Sequence, residues 1–555
     1  MKGILKFSIL ALFLLLVSCG KEEKGNSGGK TGDGLKPASG MTVYGKVLCG
    51  GKGLAGVVVS DGVVTTQTNF DGVYQLPSKK HNGLVFISMP SGYKVPVRYG
   101  ATPGFWQPLH KDAKTAERVD FTLTRDRDQT SHTVLCMGDI HIYNASSSSL
   151  FQQYLVPELN KFATRSDLGP VVGLTLGDMS WDWHWYHSGY RIPEYLSAMD
   201  QVKGLPVFFT VGNHDHDMNF NSRQEYLDTG EDWTCQKLYR ELQGPTYYSF
   251  NIGQVHYVSL DDVITVDRGD ITDADSRGCW RGITHVQMQW LLQDLSYVDH
   301  STPIIVTFHI PLFGIGGSDY FTNKSGVPTV NWSIEDIVAP FLEFDKVIFI
   351  TAHTHNVYNK TFEVEGKEFV EWCNGAVCGH FWSPANHGMN LCNDGAPGGY
   401  RIITADGKNI SSVYKHFGKP ENFFFRSYDR NQMNLEPYTQ NETSYDWGEI
   451  GGPSSANYIY LDVWDYKPGW SITAKEGTKN LTVTRCGATY DPLYALLCTK
   501  KLARTPRQTY TIFKVKASSA TSTVTITVKD EFGHVRTEEM KRPKAFTFET
   551  YRDEQ

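Results

Sequence analysis

The stretch "LPVFFTVGNHDHD", residues 205–217, changes character halfway along. Leu205 to Val211 is an apolar run of strand length. It ends at Gly212, and then Asn213, His214, Asp215, His216 and Asp217 follow without interruption. The same form recurs elsewhere. "TVLCMGDIH" ends in Asp139 and His141, "PVVGLTLGDMS" in Asp178, "PIIVTFHIPLF" holds His309, and "KVIFITAHTHN" ends in His353 and His355. Helix-like segments separate these runs, among them "LFQQYLVPELNKFA", "EYLSAMDQVK" and "THVQMQWLLQDLSYV". Strands alternating with helices predict an α/β core. Open α/β sheets place ligands at the carboxyl ends of their strands, where every one of these polar tips falls.

The flanks read differently. From Thr42 to about Arg125 the chain alternates valines with small polar residues, and Asp61-Gly62 and Asp71-Gly72 mark turns. A small β-sandwich is expected over 42–125, similar to the prealbumin-like modules that precede secreted enzymes, with a spacer or docking role. After about Gly418 alternation returns in "YIYLDVWDY", "WSITAKEG", "TYTIFKVKA" and "STVTITVKD", which predicts a third, all-β domain over 418–555. The central α/β domain is assigned to 126–417.

With 555 residues the chain exceeds one ordinary domain. Asp and Glu number 60 against 53 Lys and Arg, with no long basic run, so nucleic-acid binding is not expected. "MKGILKFSILALFLLLVSCG" has a lysine-bearing start and an apolar run too short to span a bilayer comfortably, and reads as an export signal. "LVSC", ending at Cys19, resembles a bacterial lipobox. That resemblance implies cleavage before Cys19, lipid on its sulfur, and a protein anchored in a bacterial cell envelope. Residues 1–19 are thus the leader and lipobox. Residues 20–41, rich in glycine, serine and lysine, are a flexible tether. Nine cysteines remain after Cys19, an odd number, and no CxxC pair occurs. Cys136, within an apolar run, is expected to be a buried thiol.

In chain order the polar tips spell D-x-H, G-D, G-N-H-D, H and H-x-H. The series resembles the calcineurin-like metallophosphoesterases, in particular the three-domain bacterial form with dedicated N- and C-terminal β domains. The resemblance implies a central four-layer αββα sandwich between two all-β sandwich domains. It also implies two divalent ions, for which mixed imidazole and carboxylate donors suit Mn, Fe, Zn or Co. Asp139, His141 and His355 would hold one ion, Asn213, His309 and His353 the other, and Asp178 would bridge them. His214 would be the acid that protonates the leaving group, with Asp215 orienting it. The chemistry requires such a set. Phosphate esters repel nucleophiles, and paired cations neutralise that charge and activate a shared water as hydroxide.

Departures from the family pattern refine the reading. The last motif is "AHTH", with Ala352 where the family has glycine. "GDMSWD" puts Trp181 where a second carboxylate often stands, and Asp182 one later. Serine/threonine protein phosphatases clamp phosphate with arginines, one soon after the bridging Asp and one before G-N-H. Neither is present here, and Val211 holds the second place. Protein phosphatase activity is therefore not expected. "MSWDWHWYHSGY" crowds Trp181, Trp183 and His184 after the bridging carboxylate, either as a substrate rim or as packing on a neighbouring domain. His380, Trp382 and Asp394 are further rim candidates. His216 and Asp217 are expected in the solvent-exposed loop leaving the site. The expected function is a metal-dependent hydrolase of phosphodiesters or phosphomonoesters. The alternative is a non-catalytic surface protein that binds glycan or another ligand and keeps a vestigial metal site.

Overall fold

The computed structural model describes residues 33–218, 231–267, 277–317, 332–440, 443–454, 456–502, 504 and 506–552. Cys19 and the leader lie outside the described residues. The chain divides into residues 1–36 and 37–555, and every described helix and strand belongs to the second unit. No helix among the described residues is long and apolar enough to cross a membrane.

Two sheets form the heart of the central domain. One runs in the order Val207–Phe208, Val171–Thr175, Ser131–Met137, Gly399–Asp406, Asn409–His416. Its first three strands are parallel. The Ala145–Ala163 helix supplies one crossover between them. Its start is fixed by the Asn144 side chain, which accepts from Ser147 N at 2.8 Å. Phe151, Leu155, Leu159 and Phe162 recur at helical spacing and are buried.

The second sheet runs Tyr248–Ile252, Val255–Ser259, Ile304–Thr307, Val347–Thr351, Lys367–Cys373, Tyr358–Val364. The four strands from Val255–Ser259 to Lys367–Cys373 are parallel. The sheets face one another through ring stacking of Phe208 on Phe250, with centroids 3.8 Å apart. The Thr210 hydroxyl also meets those of Ser259 and Thr307 at 2.9 and 3.0 Å. Strands buried on both faces need continuous apolar sequence, which explains why these runs lack alternation. The protein is an α/β fold flanked by N- and C-terminal β domains.

The N-terminal domain pairs a six-stranded sheet around Val43–Cys49 with a four-stranded one containing Val58–Ser60 and Leu84–Ile87. The C-terminal domain has two four-stranded sheets built on Tyr458–Val463 and Val524–Lys529. It is not purely β, because a helix spans Pro492–Lys500. Its signal is local: Asp491 accepts from Tyr494 N at 2.7 Å, and proline at the first helical position is preset for the turn. None of the nine described cysteines is in a disulfide, and Cys136 is buried.

A buried ion pair ties the C-terminal domain to the central sheet. Arg401 donates to both Asp465 oxygens at 2.7 and 3.0 Å, and neither side chain is more than 3% exposed. Removing one partner strands a buried charge, which costs about 3–5 kcal/mol. Arg401→Ala is therefore expected to lower the urea midpoint of the unfolding transition markedly. A midpoint unchanged from wild type would contradict this account.

Candidate metal centre

The strand tips converge in space. Asp139 and His141 follow Ser131–Met137, Asp178 follows Val171–Thr175, and Asn213 follows Val207–Phe208. His309 follows Ile304–Thr307, and His353 and His355 follow Val347–Thr351. Five of these seven have left-handed backbones: Asp139, His141, Asp178, His353 and His355, with φ from 47° to 66°. Asp and His tolerate this region better than most residues, yet five at one place is a strained arrangement. Backbone bonds between the tips hold it. His141 N donates to Asp178 O at 2.9 Å, Asp139 N to Gly177 O at 3.2 Å, and Ala352 N to His309 O at 3.0 Å.

Asp178 stands at the centre. Its Oδ2 lies 3.2 Å from His309 Nε2 and 3.6 Å from His141 Nε2. His141 Nε2 is 3.3 Å from His355 Nε2, which is 3.4 Å from Asp139 Oδ1. On the other side His309 Nε2 lies 3.1 Å from both Asn213 Oδ1 and His353 Nδ1. Asp139, His141 and Asp178 form one potential cation-binding group, and Asp178, His309 and His353 form another, with Asp178 common to both.

These donors fit two divalent cations. Asp139 Oδ1 is buried without a hydrogen-bond partner, a costly state unless something positive lies beside it. His141, His309 and His355 donate their far nitrogens to the carbonyls of Ser180, Leu176 and Gly379, at 3.1, 2.7 and 2.7 Å. Their Nε2 lone pairs thus face the cluster, as in metal-ligating histidines generally. Burial also lowers the pKa of His141 and His353 well below the usual value, so both present a neutral ring, whereas against burial Asp178 raises His309 to about 10 and Asp139 raises His355, attractions a bound cation would replace. Cys378 was not anticipated from sequence. Its sulfur is 3.9 Å from His355 Nδ1, the nitrogen turned away from the cluster, and so backs that ring.

The surrounding loops allow no spare atoms. A Cβ on Gly177, at φ +91°, would meet His309 Nδ1 at 2.4 Å. A Cβ on Gly138 would meet the Ala352 methyl at 2.6 Å. Ala352 itself is not among the left-handed residues and is fully buried, so the departure from the family glycine is accommodated by its neighbour.

The reading of "NHDHD" needs correction. Asp215 does not reach the His214 ring. Its carboxylate accepts from the backbone N–H groups of Gly212, Ser180 and Met179 at 3.0, 3.0 and 3.3 Å, and so staples two loops together. Asp182 is the carboxylate that contacts His214, with Oδ1 2.5 Å from Nδ1. The signal was present in "GDMSWD", one place beyond the family spacing. Burial disfavours an imidazolium at His214, but Asp178 and the Asp182 hydrogen bond outweigh it and raise the pKa. Burial raises Asp182 as well, so the pair retains its shared proton.

His216 is fully buried, not exposed. Its Nδ1 meets Gly212 O at 2.9 Å, and burial pushes its pKa down to about 4. Asp217 is half-buried and accepts from the Tyr186 hydroxyl at 2.6 Å. An unbroken run of polar letters gave no sign that the chain turns inward again.

The rim candidates separate into two sets. Trp181 stacks on Phe381 at 4.6 Å and lies 5.7 Å from the His214 ring. Trp183 is 70% exposed and meets His214 edge-on at 6.3 Å. His184 packs on Tyr143. These three border the site. Trp382 does not: it is buried, with Nε1 donating to Ile140 O at 2.9 Å. Asp394 is buried too and accepts from Val357 N and Ala396 N, shaping its own loop. His380 is buried between Tyr494 and Arg504. Phe381, missed in the sequence, is the aromatic that reaches the ligands, 4.5 Å from the His355 ring and 5.0 Å from that of His141.

Comparison with known proteins places these features. Residues 132–357 match the calcineurin-like phosphoesterase family model. Residues 41–126 and 371–535 match the models for its N-terminal and C-terminal regions. Purple acid phosphatase 18 of Arabidopsis thaliana is 24% identical over 262 residues, which are 43% of this chain and 55% of the plant protein. The chain thus spans about half the length of the curated relative it matches. Among solved structures, phosphopantetheinyl hydrolase from Mycobacterium tuberculosis aligns with 45% of this chain and 91% of its own, at 11% identity and a TM-score of 0.24. NAD nucleotidase of Haemophilus influenzae aligns over 52% and 55%, at 13% identity and a TM-score of 0.27.

The tightest constraint on the centre is Gly212. A Cβ there would stand 2.2 Å from Asp178 N and 2.3 Å from its Oδ1, backbone and ligand atoms with no room to move. Gly212→Ala is expected to fold, by circular dichroism, yet to lose most bound Mn²⁺ in elemental analysis. Full metal content in the variant would overturn the assignment of Asp178 as the shared ligand.

Proposed function

This chain is a calcineurin-like phosphoesterase with the N- and C-terminal domains of that family, and on that premise we propose that it is an exported, lipid-anchored hydrolase of phosphate esters, with diesters preferred to monoesters. The observation that carries the reading is the His214–Asp182 pair, set beside a carboxylate common to two donor groups. Asp139, His141, Asp178 and His355 would hold one cation, and Asp178, Asn213, His309 and His353 the second. When bound, the two cations supply charge neutralisation at phosphorus and an activated water.

The chain's own residues do the rest. Asp178 fixes the spacing of the two halves, and its Oδ1 accepts from His214 N at 2.8 Å, which couples the acid's backbone to the bridging position. His214 carries a proton on an imidazole whose charged form is favoured by two carboxylates, and delivers it to the departing oxygen. Asp182 holds the ring in the orientation that leaves Nε2 free for this. An alkoxide leaves poorly, so a positioned acid benefits alkyl diesters most, which supports the preference for them. The exposed Trp183 beside His214 offers a flat apolar face on the leaving-group side. Export and anchoring rest on the leader sequence and the "LVSC" motif ending at Cys19.

Hydrolysis of bis-p-nitrophenyl phosphate by the purified protein with Mn²⁺ tests the reading. Activity is expected to vanish with chelator and in Asp178→Ala. A fully metal-loaded protein inert towards a panel of mono- and diesters would refute it.

The acid is tested separately. His214→Ala and Asp182→Asn are expected to keep their metal. His214→Ala should lose about 10²–10⁴-fold in kcat on alkyl leaving groups and far less on p-nitrophenolate, with Asp182→Asn intermediate. Equal losses on good and poor leaving groups would remove His214 from that role.

A further inference from the structure

One side chain of the C-terminal domain stands beside the aromatic wall of the metal centre. Arg504 follows the Pro492–Lys500 helix and is exposed. Its Nη1 lies 2.8 Å from His380 Nε2, and its guanidinium stands 5.9 Å from the Phe381 ring centroid. The other His380 nitrogen meets the hydroxyl of Tyr494, on that same helix. Burial and the neighbouring guanidinium both disfavour an imidazolium, so His380 is neutral and its Nε2 accepts from Arg504. Phe381 in turn lies against the rings of His355 and His141. Phe381 and Trp382 both have left-handed backbones, with φ of 51° and 59°. Strain of this kind in bulky residues persists where the surroundings over-determine a position, and it concentrates at ligand clamps.

The two arginines with which protein phosphatases clamp phosphate have no counterpart at their motif positions. No arginine follows Asp178 closely, and Val211 precedes the G-N-H motif. We propose that Arg504, held by His380 beside Phe381, forms a subsite for a second anionic group of the substrate, removed from the phosphate being cleaved, so that the C-terminal domain sets specificity. This rests on the phosphoesterase reading above. The Phe381 ring separates Arg504 from the metal ligands, so the guanidinium stands too far out to clamp the scissile phosphate. It suits a phosphate or carboxylate several bonds away. A planar guanidinium with free donors binds such oxyanions in a fork, and the aromatic face below also favours its charge. His380 is a positioning residue here: it fixes one Nη and leaves the remaining donors to the ligand.

The test compares two diesters on the full metal-loaded chain: thymidine 5′-(p-nitrophenyl phosphate) and the same ester carrying a 3′-phosphate. Wild type should prefer the 3′-phosphorylated ester. Arg504→Ala should raise its KM about tenfold, the worth of one charge-assisted hydrogen bond, while the ester without the 3′-phosphate stays within about twofold. Arg504→Lys should recover part of the loss. Equal effects on both esters, or none on either, would overturn the proposal, because a merely structural arginine does not distinguish them. Calorimetry with thymidine 5′-phosphate and thymidine 3′,5′-bisphosphate reads the subsite without turnover. A bisphosphate preference present in wild type and absent from Arg504→Ala upholds it even if neither ester is cleaved, an outcome that would count against the phosphoesterase reading alone. No preference in wild type sinks the subsite.

Discussion

Asp178 is a buried carboxylate that the two halves of the central domain must meet. Its Oδ2 lies between His141 of one sheet and His309 of the other, and its Oδ1 takes the backbone of His214. Burying one such charge is expensive, and here Asp139 lies beside it with an oxygen that makes no hydrogen bond. The sheets therefore have to fix the donors closely enough for cations to repay that cost. The strand-tip geometry, the close glycines and the left-handed ligands all follow from this single demand.

The domain pattern and the seven candidate ligands were legible because they depend on linear features. A parallel strand buried on both faces is a continuous apolar run, and its tip is where that run stops. His309 illustrates the gain: alone it is an ordinary core histidine, and its place after "PIIVTF" marks it as a ligand candidate. What escaped depended on the path of the chain after the tip. The resemblance pointed to Asp215 as the partner of His214, and Asp182 had no assigned role. The choice between them was made by a short 3-10 turn, Asp182–His184, that brings Asp182 under the ring. Asp215 is instead consumed by three backbone donors. Trp382 and Asp394 failed as rim residues for the same reason, because a loop rich in glycine folds inward and takes its polar groups with it.

The flanking domains act on the centre through few contacts, and differently. The N-terminal domain packs its Phe105 on Tyr248 at 4.6 Å, and the Tyr248 hydroxyl bonds both the carbonyl and the amide of Phe209, four residues before Asn213. Its contribution is therefore to the rigidity of the strand that carries the G-N-H tip. The C-terminal domain instead meets the loop after the Lys367–Cys373 strand. Arg507 N bonds Asn393 O, and Asn393 N bonds His355 O. One domain braces a ligand strand from behind, and the other lies beside the opening.

This division bears on what can vary. A left-handed backbone costs roughly 1–2 kcal/mol for a residue with a Cβ, and five ligands have one. Interactions that hold those residues in place cannot be exchanged freely, and they belong to the strands and to the backbone bonds between the tips. The exposed part of the rim carries no such burden. Trp183 is 70% exposed, and truncating it would leave no cavity in the core. Residues of that kind can be replaced without loss of fold, so specificity can change there while the metal donors stay fixed. The separation of strained ligands from exposed residues such as Trp183 is what lets the rim change while the metal donors stay fixed.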